Sequence, residues 1–218
     1  ELGRGVEHHV GAVLQRLPEA TVFMGVPTYY VRLLQEKGLT REAVAHMRLF
    51  ISGSAPLLPE TFNAFRERTG QTILERYGMT EGGMFTSNPL EGERRGGTVG
   101  FPLPGTGVRV VGEDDVPLSA GGIGHIQVRG DNVFAGYWQM PERTQEEFTP
   151  DGFFRTGDMG RFDADGYLAI IGREKDLIIT GGLNVYPKEV EEAIDALAGV
   201  AESAVIGLPH PDFGEAVS

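Results

Sequence analysis

Between residues 21 and 76 short apolar runs alternate with segments that open on proline, and this alternation restricts the fold more than any other feature of the chain. Thr21–Gly25, Arg48–Ser52 and Thr72–Arg76 read as buried strands. Pro27 begins a helix through about Gln35, and Pro59 begins one through Thr69. Proline suits a first helical turn, where its missing N–H has no partner to lose. Gly70 stands where the second helix should stop. Strands separated by helices are joined by crossovers, so this part is expected as a parallel sheet with helical cover, an α/β arrangement.

From Gly96 the pattern changes. Val108–Val111, Ile123–Arg129 and Tyr167–Ile171 are short β runs between Gly/Pro turns, interrupted by a helix over Pro141–Phe148. They predict a mainly antiparallel segment. A third pattern begins near Arg173. Leu177–Thr180 reads as a strand, and Pro187–Leu197 as an amphipathic helix with Val190, Ala193, Ile194 and Leu197 on one face. Gly199 would close it, and Glu202–Gly207 would return as a strand. The expected organisation is residues 1–172 as the later part of one large domain (1–95 α/β, 96–172 β-rich), 173–175 as a junction, and 176–218 as the start of a small α+β domain.

Composition removes several function classes. With 19 basic and 31 acidic residues the net charge is -12, so the chain repels nucleic-acid phosphates. It has no Cys, hence no disulfide framework and no thiol nucleophile. No apolar run approaches the roughly 18 residues of a membrane helix. Glu1-Leu2-Gly3-Arg4 is not a signal peptide, so a cytoplasmic location is expected. Both ends read as cut from a longer protein.

Candidate chemistry lies in segments that recur in a fixed order. They are Ser52-Gly53-Ser54-Ala55-Pro56-Leu57, Tyr77-Gly78-Met79-Thr80-Glu81, Phe154-Arg155-Thr156-Gly157-Asp158, Gly172-Arg173 with Asp176-Leu177-Ile178, and Gly181-Gly182-Leu183-Asn184-Val185-Tyr186-Pro187 with Lys188-Glu189-Val190-Glu191. Tyr77–Glu81 follows an expected strand, and ligands of open α/β sheets bind at the carboxyl ends of strands. An aromatic face can stack a base, a Thr hydroxyl can bond a phosphate oxygen, and a Glu can hold Mg²⁺. The same five residues also read as a strand-ending turn with a solvated Glu. Asp158 suits a ribose diol, because a carboxylate accepts two hydroxyl bonds; Gly-Asp is equally an ordinary turn. Arg173 can offset ligand phosphate, or join Glu174, Lys175 and Asp176 in a solvated charge run.

Taken together and in this order, the segments resemble the adenylate-forming superfamily of acyl-CoA synthetases, luciferases and peptide-synthetase adenylation domains, from about Val22 to the chain end. The chain looks most similar to malonyl-CoA synthetases, through Gly25–Tyr30, Thr86–Pro89 and Gly207–Gly214. That resemblance implies an enzyme that uses MgATP to turn a carboxylic acid into an acyl-adenylate, then passes the acyl group to CoA. It implies ATP/AMP, Mg²⁺ and CoA as the ligands. It assigns adenine and the acyl-pocket wall to Ser52, Gly53, Ser54 and Ala55, and the nucleotide to Tyr77, Gly78, Met79 and Thr80. Glu81 would hold the metal, and Asp158 and Arg173 the ribose and phosphate. Lys175 would be a hinge, Gly181 and Gly182 would line the thiol's tunnel, and Asn184 would make a polar contact. Tyr77, Asp158 and Arg173 are expected around one AMP. The family's phosphate loop and its C-terminal lysine are expected outside residues 1–218, so the isolated chain is expected to be inactive.

Arg32 bears on the acid. It shares an expected helix with Thr28, Tyr29 and Leu33, in the segment bordering the acyl pocket of relatives. A fatty tail would not tolerate a buried cation, whereas a diacid would be gripped bidentately. Arg32 can also simply face solvent. The substrate implied is malonate or methylmalonate. The alternatives are the same chemistry on another acid or a carrier-protein thiol, and a noncatalytic module binding nucleotide or a partner. Adjacent His8 and His9 cannot form an i, i+4 metal pair, Arg94-Arg95 reads as solvated charge, and Gly121–Gly124 precedes no helix, so it is not a phosphate loop.

Overall fold

The protein was analysed as a computed structural model that describes residues 10–197, 199–200 and 203–218. His8, His9 and Glu202 lie outside the described residues. The chain divides into two compact units, one running through Pro104 and one from Gly105.

The first unit opens with helix α1, over 10–16, and continues through β1 (Val22–Gly25), α2 (Pro27–Leu33), β2 (Leu49–Ser52), α3 (Pro59–Thr69), β3 (Ile73–Met79), β4 (Gly83–Ser87) and β5 (Phe101–Pro102). The sheet order is β1-β2-β3-β4-β5. β1, β2 and β3 are parallel, as the strand–helix alternation requires; β4 and β5 add on antiparallel. α3 runs from Pro59 to Thr69 and stops at Gly70, whose N–H bonds Arg66 O at 2.8 Å. α2 is shorter than expected and ends at Leu33 rather than Gln35. Arg68 donates to the carbonyls of Leu34, Glu36 and Leu39, so a guanidinium from α3 takes up acceptors that helical N–H groups would otherwise use. The third strand runs past Arg76 to Met79, because β4 pairs with its second half.

The core of this unit is aromatic. Phe50, Phe65 and Tyr30 are fully buried between sheet and helices. Phe65 meets Phe50 at 5.0 Å and Tyr30 at 5.4 Å between ring centroids, both edge to face. Tyr30 Oη donates to Ile51 O at 2.6 Å, which ties α2 to β2 and satisfies the buried hydroxyl. Arg94 is no solvated charge: it donates to Pro89 O, Leu90 O and Thr72 O, stapling the loop after β4 to the start of β3.

The second unit holds two sheets. β6 (Gly107–Val111), β7 (Gly124–Arg129), β8 (Phe154–Phe162) and β9 (Leu168–Arg173) pair antiparallel in that order. α4 (Pro141–Glu147) precedes β8. The other sheet has the order β11-β10-β13-β12, from β10 (Ile178–Thr180), β11 (Leu183–Val185), β12 (Gly207–His210) and β13 (Gly214–Val217), with α5 (Pro187–Asp195) beside it. α5 packs on β9, where Lys188 Nζ donates to Ile170 O at 2.9 Å. Two expectations are corrected here. The last expected strand starts at Gly207, since its pairing partner is β13 through a hairpin whose second arm begins at Gly214. α5 ends at Asp195 and buries none of its residues, and Leu197 is exposed.

Phe65→Ala is expected to lower stability by about 3–5 kcal/mol, the range for emptying an aromatic site in a packed core. Trp138→Ala, on a side chain that is 86% exposed, should shift it by less than about 0.5 kcal/mol. The two urea-unfolding midpoints compare these directly.

Candidate active site

In the first unit, Ser52 ends β2 fully buried, and its Oγ has no hydrogen-bond partner. The chain then turns through Gly53, Ser54 and Ala55, with Ser54 in left-handed backbone (φ 68°) and both Ser54 and Ala55 exposed. This loop is anchored by Glu75, which is 4% exposed on β3 opposite Ser52 and accepts the Leu57 N–H at 3.0 Å. Sequence reasoning missed Glu75, although a carboxylate within the expected strand Thr72–Arg76 was the available signal. Arg32 projects from α2 with Nη1 buried and without a hydrogen-bond partner.

The expected strand-ending turn at Tyr77–Glu81 is corrected in part. Tyr77, Gly78 and Met79 belong to β3, and only Thr80 and Glu81 enter the hairpin to β4. Phe85 is an extra residue in β4, so the register shifts between Tyr77↔Thr86 and Gly78↔Met84. The Tyr77 ring meets Phe85 at 5.6 Å. A Cβ on Gly78 would stand 1.9 Å from Gly83 O, which only glycine avoids. Thr86 Oγ1, in the register partner of Tyr77, is buried with no hydrogen-bond partner. Thr80 is exposed and Glu81 half-buried. Among the described residues no group of three His, Cys, Asp or Glu side chains could hold a metal. The oxygens of Thr80 and Glu81 have the chemistry for a Mg²⁺ whose other ligands are phosphate oxygens and water.

In the second unit, Asp158 is not in a Gly-Asp turn. It lies inside β8, 5% exposed, and is paired in register with Arg173 at the end of β9. Arg173 Nε stands 2.9 Å from Asp158 Oδ1, so these two predicted residues are brought together as an ion pair with the cation exposed. Arg173 is therefore not part of a simple solvated run. Lys175 sits exposed in a single turn, Glu174–Asp176. Gly181 and Gly182 form the two-residue turn between β10 and β11, both with positive φ, as this hairpin type demands. The plain strand-to-helix turn is corrected to a hairpin, which a Gly-Gly pair between two β runs could have signalled. Asn184 is exposed on β11.

The motif residue Arg155 works on the sheet itself. Its guanidinium grips Asp115 bidentately at 2.5 and 2.6 Å, and Gln127 Nε2 donates to the same carboxylate at 2.6 Å. The Arg155 hydrogen bond, with Gln127 behind it, pulls the Asp115 carboxyl down to about 2. Asp151 is likewise held at about 2, chiefly by Arg109.

The profile of the family described as AMP-binding enzyme matches residues 11–138. A malonate–CoA ligase of Arabidopsis thaliana is 43% identical over 207 residues, covering 91% of this chain and 34% of the relative. A sulfoacetate–CoA ligase of Cupriavidus necator is 45% identical over 194 residues, covering 88% and 38%. The crystal structure of ATP-bound MatB from Rhodopseudomonas palustris superposes with a TM-score of 0.93 at 58% identity, covering 95% of this chain and 42% of that one. The chain spans about a third of the length of the curated relatives it matches.

The Asp115 site has a pH signature. Its folded value, about 2, lies below the ordinary 3.8. Its contribution is therefore complete above about pH 4 and is lost as pH falls toward 2. Asp115→Asn should be less stable than the parent at pH 7, and the two melting temperatures should converge as pH drops through that window.

Proposed function

The chain belongs to the AMP-binding enzyme family, and from that membership we propose that the full-length protein is an AMP-forming acyl-CoA synthetase for a short acid with a second anionic group, malonate or methylmalonate. The carboxylate attacks the α-phosphorus of MgATP to give acyl-AMP and pyrophosphate. The CoA thiol then attacks the mixed anhydride and releases AMP. In this reading Tyr77 stacks adenine, Thr80 bonds phosphate, Asp158 takes the ribose hydroxyls and Arg173 supports ribose and phosphate. Glu81 holds Mg²⁺, which neutralises phosphate charge when bound. Residues 1–172 form the later part of the large domain. The junction 173–175 pivots at Lys175, and residues 176–218 begin the mobile domain, whose Gly181–Gly182 hairpin lines the path of the thiol.

The observation that carries the substrate class is Arg32. A guanidinium nitrogen buried without a partner costs roughly 1–3 kcal/mol. A carboxylate that it grips bidentately would remove that penalty. A fatty tail would leave it in place. Malonate and sulfoacetate, the acids in the names of two relatives, both carry a second anion. The sulfonate is the second reading, favoured by the 45% identity to the sulfoacetate–CoA ligase.

The test is a panel of malonate, methylmalonate, sulfoacetate, butyrate and a long-chain fatty acid, read by pyrophosphate release and the mass of the CoA product. Malonate is expected to lead. Arg32→Ala should lower kcat/KM for malonate by about a hundredfold while leaving butyrate within about threefold, the scale of one lost charge-assisted pair. An unchanged preference for malonate over butyrate in that variant refutes the clamp.

A further inference from the structure

We propose that Thr156 is the positioning residue for Asp158: its hydroxyl staples a two-residue bulge in β8 and so sets where the Asp158 carboxylate lies. This rests on the reading of Asp158 as the acceptor of the ribose hydroxyls.

The argument starts from the register. On one side of the irregularity Gly124 and His125 face Gly160 and Met159; on the other Gln127 and Val128 face Arg155 and Phe154. Ile126 alone therefore stands opposite Thr156, Gly157 and Asp158, where a regular antiparallel pair would put one residue. Two extra residues must be folded out of the ladder without leaving buried backbone groups unmet. Thr156 is 5% exposed and does this with a single hydroxyl. Thr156 Oγ1 donates to Ile126 O at 2.8 Å across the strands and accepts the Asp158 N–H at 3.1 Å along its own strand. Gly157, at φ 70°, makes the reversal between them.

The consequence falls on Asp158. Its backbone is fixed from one side by the Thr156 hydroxyl and from the other by its pairing with Arg173 on β9. Its carboxylate is then held at Arg173 Nε. Without the staple, the bulge has no fixed depth and the carboxylate no fixed height above the sheet. Valine has nearly the shape of threonine, but it can neither donate to Ile126 O nor accept from Asp158 N–H. Serine keeps both bonds.

The experiment measures acid-dependent pyrophosphate release by the full-length protein with ATP and with 2′,3′-dideoxy-ATP, which lacks the ribose diol. It compares the parent with Thr156→Val, Thr156→Ser, Gly157→Ala and Asp158→Asn. Thr156→Val is expected to raise the KM for ATP about tenfold with kcat within about twofold, the pattern of lost ground-state binding. It should also shrink the preference for ATP over the dideoxy analogue toward the Asp158→Asn value, and Thr156→Ser should restore both. Gly157→Ala strains the same bulge without clash, since nothing lies within 4 Å of the added Cβ, and it should shrink the same preference. It decides the matter if Thr156→Val fails to fold. If Thr156→Val melts earlier yet keeps the parental preference for ATP, the residue only supports the fold and the proposal fails. Should Asp158→Asn itself keep that preference, the ribose reading of Asp158 falls first, and the positioning role with it.

Discussion

A carboxylate taken out of water must be met by donors, and two such carboxylates organise this chain. Glu75 on β3 and Asp158 on β8 are each about 95% buried, in sheets that offer few spare N–H groups. Glu75 is met by the Leu57 amide, and that bond holds the small-residue loop after β2 against the sheet. Asp158 is met by Arg173, and a bulge displaces the strand to make the meeting possible. At Asp158 the backbone has been bent around a charge. Such departures from regular geometry concentrate at functional sites, where the surrounding structure supports them.

The irregularities share a pattern. Register shifts in three places: between Tyr77 and Gly78 where β3 meets β4, over Thr156–Asp158 where β8 faces Ile126, and between Met159 and Gly160 where β8 meets β9. A regular strand alternates its side chains strictly between two faces, so neighbouring residues cannot serve one ligand. Inserting residues re-aims a side chain without ending the strand. The glycines of Tyr77-Gly78-Met79 and Thr156-Gly157-Asp158 serve this end, one by admitting a carbonyl where a Cβ would collide, the other by taking a left-handed φ.

Polar networks also tie the strands and loops together. Arg155, Asp115, Gln127 and Arg109 form a chain of charge-assisted bonds across β6, β7 and β8. Arg68 and Arg94 each spend a guanidinium on backbone carbonyls of loops. These four arginines are committed to sheet and loop contacts. Arg32 differs from them in having an Nη1 without a hydrogen-bond partner.

By itself the sequence determined the elements and the family. Proline at helix starts, Gly70 at a helix end and apolar runs of four to seven residues are local signals, and local backbone preference answers them; α3 falls where they put it, and β1 to β3 are parallel as their helical links require. The ordered motifs gave the family for the same reason, because residue type and order survive in one dimension. What only the tertiary structure decided was which backbone groups those residues would meet. Asp158 looked like part of a turn because Gly-Asp is a turn pair locally, and it became a buried strand residue because it pairs with Arg173 on β9. The bonds that Glu75 and Thr156 make were not legible for the complementary reason: their partners, Leu57 and Ile126, lie 18 and 30 residues away, and no local rule specifies a hydrogen bond across that distance.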